Sequence, residues 1–262
     1  MTGQLTGPIA TLASTVYERM RREIVRGMLR PGERLRIETL RERYGAGGSP
    51  IREALNRLSA EGLVVLKDQK GFHVAPISLD ELDELTRTRC SINEIALADS
   101  IANGDVAWEE NIVLAFHRLS RISNDLSAPA DVVTRREQLH RAFHFSLIAA
   151  CRSRWLRSFA EMLFDCADRY RFVTRAFHQE AKGARNTQAE HRLIMEATIN
   201  RDAPAAIKRV NDHLLRTAEL IAQSEAAFGP ASSPRMVRLS AGLAVTMPMP
   251  TGPDRQSDDP SA

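Results

Sequence analysis

Six residues near position 50 constrain this chain more than any other stretch. Gly45-Ala46-Gly47-Gly48 interrupts a helix and Ser49-Pro50 restarts one. Ser49 is the expected N-cap, and Pro50 takes the first helical position, where its missing N–H costs nothing. A short helix therefore precedes the break and another follows it. Residues 37–44 supply the first, with Leu40 and Tyr44 facing inward. Residues 50–61 supply the second, with Ile51, Leu55 and Leu58 as its apolar stripe and Arg52, Asn56 and Arg57 off it. Gly62 ends it. Upstream, Val16, Met20, Ile24 and Met28 recur at helical spacing over residues 15–28, with Leu12 one turn earlier, and Leu29-Arg30-Pro31-Gly32 closes the helix. Downstream, residues 63–66 and 72–75 read as short strands joined by Asp68-Gln69-Lys70-Gly71.

Three short helices and then a hairpin is the winged helix-turn-helix order. On such a core the third helix enters a DNA major groove with its N-terminal residues nearest the base edges, and the wing lies along the backbone. Arg52, one turn in, is expected to meet guanine O6 and N7 or to clamp a phosphate. Ser49 and Asn56 share its helix. Lys70, Gly71 and His73 on the wing are further candidates, as are Arg41 and Arg43 on the second helix toward phosphates. The competing reading of Arg52 is a solvated pair with Glu53 or Glu42. The charge asymmetry fits double-stranded DNA as the partner and chance surface charge equally well. Residues 11–76 hold 13 Lys and Arg against 8 Asp and Glu, while the rest of the chain holds 23 against 25.

Residues 77 and 78 make a short joint. From there to residue 223 no segment reads as a strand. Helices are expected at 79–103, 106–124, 130–150, 153–177, 186–200 and 203–224, with Ser78 capping the first. Six helices in some 145 residues make an all-α bundle. The fold class is thus mostly α, a winged helix-turn-helix followed by a helical bundle. Residues 1–11 and 227–262 read as disordered ends, leaving 12–76 as the head and 77–226 as the body. No run approaches the roughly 20 apolar residues of a membrane span. The first ten residues lack a signal peptide's order, and Cys90, Cys151 and Cys166 form no CxxC pair. A secreted or membrane protein is therefore not expected, and the cysteine usage favours the reducing cytoplasm.

Histidine is the informative residue of the bundle. His140 and His144 are four apart and share a helix face. His191 opens a stripe with Ile194, Met195 and Thr198. His213 lies on the stripe of Val210, Leu214 and Thr217. Clustered neutral imidazoles suit a borderline transition metal, zinc first, with nickel and manganese as alternatives. Hydrogen-bonded packing is the competing reading. His73, His117 and His178 fall outside the cluster. Zinc proteases with the HxxxH spacing need Glu after the first His, and here that position is Arg141. There is no GxSxG, P-loop or GxGxxG either, so an enzyme is not expected. Arg89 falls on the inward stripe of Leu82, Leu85, Ile92 and Ala96, where an unpaired charge is costly. Its expected partner is a small carboxylate effector or a structural acid such as Asp165 or Asp168. Arg171 and Arg169 are secondary effector candidates.

The run from Gly47 to Leu55, then Leu58, Glu61-Gly62-Leu63-Val64 and Gly71-Phe72-His73-Val74, resembles the head of GntR-type regulators. Many relatives have a base-reading Arg where this chain has Gly48. Arg52 matches the family's second DNA-contacting Arg. Phe143-His144, Glu190-His191 and His213 resemble the ligand-sensing FCD domain of the FadR-type subfamily. That resemblance implies a metal held by an Asp and three His. This chain has His140 at the Asp position, which implies a less negative site with three or four protein ligands. His140-Arg141-Ala142-Phe143-His144 and Arg169-Tyr170-Arg171 resemble subgroups acting on dicarboxylate catabolism. The implied protein is a homodimeric repressor, released from a pseudo-palindromic operator by a small organic acid. A metal-dependent enzyme with an accessory winged helix, or an effector-independent architectural DNA binder, are the alternatives.

Overall fold

The computed structural model describes residues 11–123, 128–174 and 185–223. The termini expected to be disordered lie outside these residues, apart from Thr11, and so does His178. Helix α1 spans Leu12–Val25. It starts three residues ahead of expectation because Thr11 takes the cap, its Oγ1 accepting from Ser14 N at 3.1 Å. The helix ends before Met28, which with Leu12 is 53% exposed. The inward stripe is instead Val16, Tyr17, Met20 and Ile24.

Helix α2 is Ile37–Tyr44, closed by Gly45 in the left-handed region at φ 62°. Helix α3 is Gly48–Ala60. Ser49 is not its cap, contrary to expectation. Gly47 holds the extended cap conformation and makes no side-chain bond, so Ser49 lies inside the first turn. Pro50 still sits where helix N–H groups have no internal partner. Strands β1 (Val64–Lys67) and β2 (Gly71–Val74) pair antiparallel, Val64 opposite Val74 and Lys67 opposite Gly71. An unanticipated segment flanks β2: Leu35 N donates to Phe72 O at 2.8 Å and Val74 N to Glu33 O at 2.9 Å. Met20, Ile24, Ile51, Leu55, Leu58 and Val74 close the core of the head.

The body comprises α4 (Leu79–Asn103), α5 (Val106–Ser120), α6 (Ala130–Leu147), α7 (Arg154–Thr174), α8 (Thr187–Ile199) and α9 (Ala203–Ala222). Ser78, Asp105, Asn186 and Asp202 cap four of them through side-chain oxygens. Helix α4 packs on α7 and α9, and α5 on α6 and α8. Their shared core holds Leu97, Ile112, Phe143, Ile194 and Leu214, with Trp108 Nε1 donating to Ser146 O at 2.9 Å. Among the described residues no helix is long and apolar enough to cross a membrane.

Head and body meet along α7. Asp165 accepts from Arg21 of α1 and, at 2.5 Å, from Arg141 of α6. Arg21 also reaches Glu61 at 3.2 Å. Arg169, 1% exposed, donates to the carbonyls of Ala75 and Pro76 at 3.2 and 3.1 Å.

Candidate metal centre and nucleic-acid face

Helices α6, α8 and α9 bring His140, His144, His191 and His213 to one point, with a nitrogen from each within 4.8 Å of the others. His140 and His144 come from adjacent turns of α6, their Nε2 atoms 3.1 Å apart. The His191 and His213 ring centroids are 4.7 Å apart. Burial, then the neighbouring cations and imidazoles, holds all four rings below the usual imidazole range, His191 at about 2. The rings are therefore neutral near pH 7, and their lone pairs are available. Among the described residues His191 Nε2 is buried without a hydrogen-bond partner, which normally costs about 1–3 kcal/mol. An orphan nitrogen among converging imidazoles fits a metal ion. Tetrahedral zinc needs N···N edges of roughly 3.3 Å, given Zn–N bonds of about 2.0–2.1 Å. The 4.8 Å limit on the set leaves a modest inward movement of the rings.

Glu190 lies beside the cluster. Its Oε2 is 2.8 Å from His213 Nδ1, and Arg185 grips the same carboxylate at 2.7 Å. Burial would raise its pKa, but the hydrogen bonds from His213 and Arg185 hold it well below the usual carboxylate range. Three arginines were expected near an effector. Arg89 is partly buried, its guanidinium 5.6 Å from the Phe164 ring centroid, and that ring is 5.9 Å from those of both His140 and His144. Its side chain has neither an ion pair nor a hydrogen bond among the described residues. Burial, only partly offset by Asp168, lowers its pKa to about 10. Neither structural acid has claimed it, because Asp165 binds Arg21 and Arg141 while Asp168 binds Arg171. Arg171 also lies 3.1 Å from His140 Nδ1 and 3.0 Å from Glu137. Arg169 is a correction. It points to the joint between head and body, where its guanidinium is engaged by two backbone carbonyls.

On the head, Ser49, Arg52 and Asn56 are exposed along α3, Arg41 is exposed on α2, and Lys70 is exposed at the wing tip. Arg52 pairs with neither Glu53 nor Glu42. Arg43 is less available than expected, since it bridges Glu23 at 2.7 Å, to which the Tyr44 hydroxyl also donates. His73 is half-buried, with Nδ1 3.0 Å from Gly71 O.

Comparison with known proteins gives two family matches along the chain. Residues 12–74 match the bacterial regulatory proteins of the gntR family, and residues 84–216 match the FCD domain. The chain is 37% identical over 220 residues to the HTH-type transcriptional regulator BphR of Paraburkholderia xenovorans (strain LB400), covering 82% of this chain and 89% of that one. It is 33% identical over 211 residues to the HTH-type transcriptional repressor GlaR of Escherichia coli (strain K12), covering 80% and 96%. The chain belongs to the GntR family. A solved structure of E. coli McbR/YncC shares the fold, with a TM-score of 0.67 at 19% identity over 83% of this chain and 100% of that one.

As a GntR regulator with an FCD domain, the protein is a DNA-binding transcription factor and not an enzyme. The FCD domain match and the four imidazoles together support a metal-associated body. Sequence reasoning missed the Glu190–Arg185 support of His213 and the role of Asp165 between α1 and α6. Glu190 had a signal: it precedes a candidate ligand and lies on the same helix. Asp165 had none, because its partner Arg21 is 144 positions away.

Proposed function

We propose that this regulator is a homodimeric cytoplasmic repressor, released from a pseudo-palindromic operator by a small carboxylic acid bound beside a metal in the body. The observation that carries the reading is Arg89, a partly buried cation with no ion pair among the described residues, next to four neutral imidazoles. An unpaired charge of that kind is costly, and a carboxylate relieves the cost. Zinc suits an all-nitrogen donor set, with nickel and manganese next. Bound there, it supplies a Lewis-acidic position for one carboxylate oxygen. Arg89 holds the other end of the acid, and a dicarboxylate satisfies both. The name of GlaR supports repression rather than activation.

The head reads DNA through Arg52, Ser49 and Asn56 on α3, with Lys70, Gly71 and His73 on the wing and Arg41 and Arg43 toward phosphates. Two heads in a dimer match two half-sites. The acid must favour one arrangement of the heads to alter operator affinity. A route exists in Asp165, which binds Arg141, the neighbour of His140, and also Arg21 on the head.

The test crosses zinc, nickel and manganese with mono- and dicarboxylates in a thermal-shift screen, followed by operator binding. A dicarboxylate should raise the Tm of the zinc-loaded protein, weaken its operator complex, and do neither with Arg89→Gln. If stripped protein binds no metal and no acid shifts its Tm, the effector-independent reading holds instead.

A further inference from the structure

We propose that His140 is the one imidazole of the four that does not ligate the metal, and that it donates its Nε2–H to the anion filling the metal's open position. This rests on the sensor reading above. The rings are held in opposite ways. His213 Nδ1 faces an acceptor, Glu190 Oε2 at 2.8 Å, so that ring carries its proton on Nδ1 and turns the Nε2 lone pair to the cluster. Arg185 Nη2 is also within hydrogen-bond reach of that Nδ1, at 3.2 Å, but the Glu190 acceptor is nearer at 2.8 Å, and Nη2 makes shorter contacts to Glu190 Oε2 and His213 O, at 2.7 and 3.0 Å. Donation of the remote N–H to a carboxylate is how metal-ligating histidines are usually supported.

His140 has the reverse support. Its Nδ1 lies 3.1 Å from Arg171 Nη1. A guanidinium donates and never accepts, so Nδ1 must accept. A neutral ring then carries its proton on Nε2, the atom aimed into the cluster. That atom cannot ligate, and the other ring nitrogen is covered by Arg171. The guanidinium is itself fixed by Asp168 at 2.7 Å and Glu137 at 3.0 Å. The proton is directed at His144 Nε2, 3.1 Å away. Once a metal takes that lone pair, the proton of His140 needs a new acceptor, and an oxygen anion at the open position supplies one. Three imidazoles then hold the ion. Arg171 is a positioning residue that sets the tautomer, and His140 together with Arg89 selects for a carboxylate.

The test measures Zn²⁺ affinity of the full chain against a chromophoric chelator, for the unaltered protein and for His→Gln at each of the four positions. His140→Gln should weaken binding by less than about tenfold and leave the visible Co²⁺ bands unchanged, while the other three should each lose more than about a hundredfold. Nitrogen-15 NMR of the zinc-loaded protein needs no substitution: it should show the His140 ring proton on Nε2. Arg171→Gln should shift those ring signals, which a merely structural arginine would not do. Loss of affinity in His140→Gln equal to the other three, a change in its Co²⁺ bands, or a proton on His140 Nδ1 overturns the proposal while leaving the sensor reading intact. Failure of the unaltered protein to bind Zn²⁺ overturns both.

Discussion

In the head, Arg41, Arg52, Asn56 and Lys70 stand in solvent around a core of Met20, Ile24, Leu55 and Leu58. In the body, His140, His191, His213, Asp165, Asp168 and Arg169 are buried between helices. Exposed cations keep their hydration until a polyanion arrives, so they cost little to maintain and their attraction is screened by salt. Buried polar groups must satisfy one another or bind something, because water is not there to do it. The difference separates two kinds of recognition in one chain, a surface suited to a long polyanion and an interior suited to a small ion.

The largest test of that contrast acts on the interior. Zinc at about 1,000 times its Kd stabilises the native state by about 4 kcal/mol. For a chain of this size that is a Tm rise of roughly 8–16 °C. His144→Ala should abolish the rise, and an undiminished rise would place the metal elsewhere. The same substitution should leave operator affinity without effector nearly unchanged, since among the described residues the cluster is built from α6, α8 and α9 of the body.

How much of this was readable beforehand depended on the range of the interaction. Helix α4 runs from Leu79 to Asn103 as its pattern predicts, because Ser78 caps it and Gly104 follows it, and both signals are local. The four histidines were readable because helical phase alone sets which face each one takes. Helices α1 and α3 began early because Thr11 and Gly47 took the caps, and the choice between neighbouring cap candidates depends on what the first turn packs against. Arg169 is the instructive miss. It lies two residues from Arg171, about 200° around the helix, so the two could not both face the cluster. The contacts of Asp165 and the pairing of Glu33 and Leu35 with β2 leave no periodic trace, because each joins segments far apart in sequence.

Asp165→Ala should have the second-largest effect, because it breaks one of the contacts between the two regions. It leaves Arg21 and Arg141 without their shared carboxylate. Loss of one partner from a buried pair costs about 3–5 kcal/mol. Both guanidinium side chains are about a quarter to a third exposed, at 23% and 34%, so about 2–3 kcal/mol is expected in urea unfolding. Zinc binding and operator binding should each survive, while the effector's influence on the operator weakens. If effector and operator remain fully coupled, the signal reaches the head by another route.

Arg52→Ala acts on the head alone. A lost bidentate base contact costs about 1–3 kcal/mol and relaxes the preference at one operator position. Equal losses on every DNA sequence would instead make Arg52 a phosphate clamp. The zinc-induced rise in Tm should be the same as in the unaltered protein.

Lys70→Ala should show the smallest effect, and its value lies in the form of the loss. Lys70 is exposed at the wing tip, with no ion pair among the described residues. A lysine that meets a phosphate releases about one counterion, so the slope of log affinity against log salt should become shallower by about 0.9. Affinity should fall by well under 1 kcal/mol at physiological salt, and equally on specific and unrelated duplexes. Operator titrations between about 50 and 200 mM salt measure both quantities. An unchanged slope would remove the wing tip from the interface and leave α3 to carry the contact. A loss confined to the specific operator would mean that the wing reads sequence as well, and the exposed face would then be selecting its ligand as closely as the buried one does.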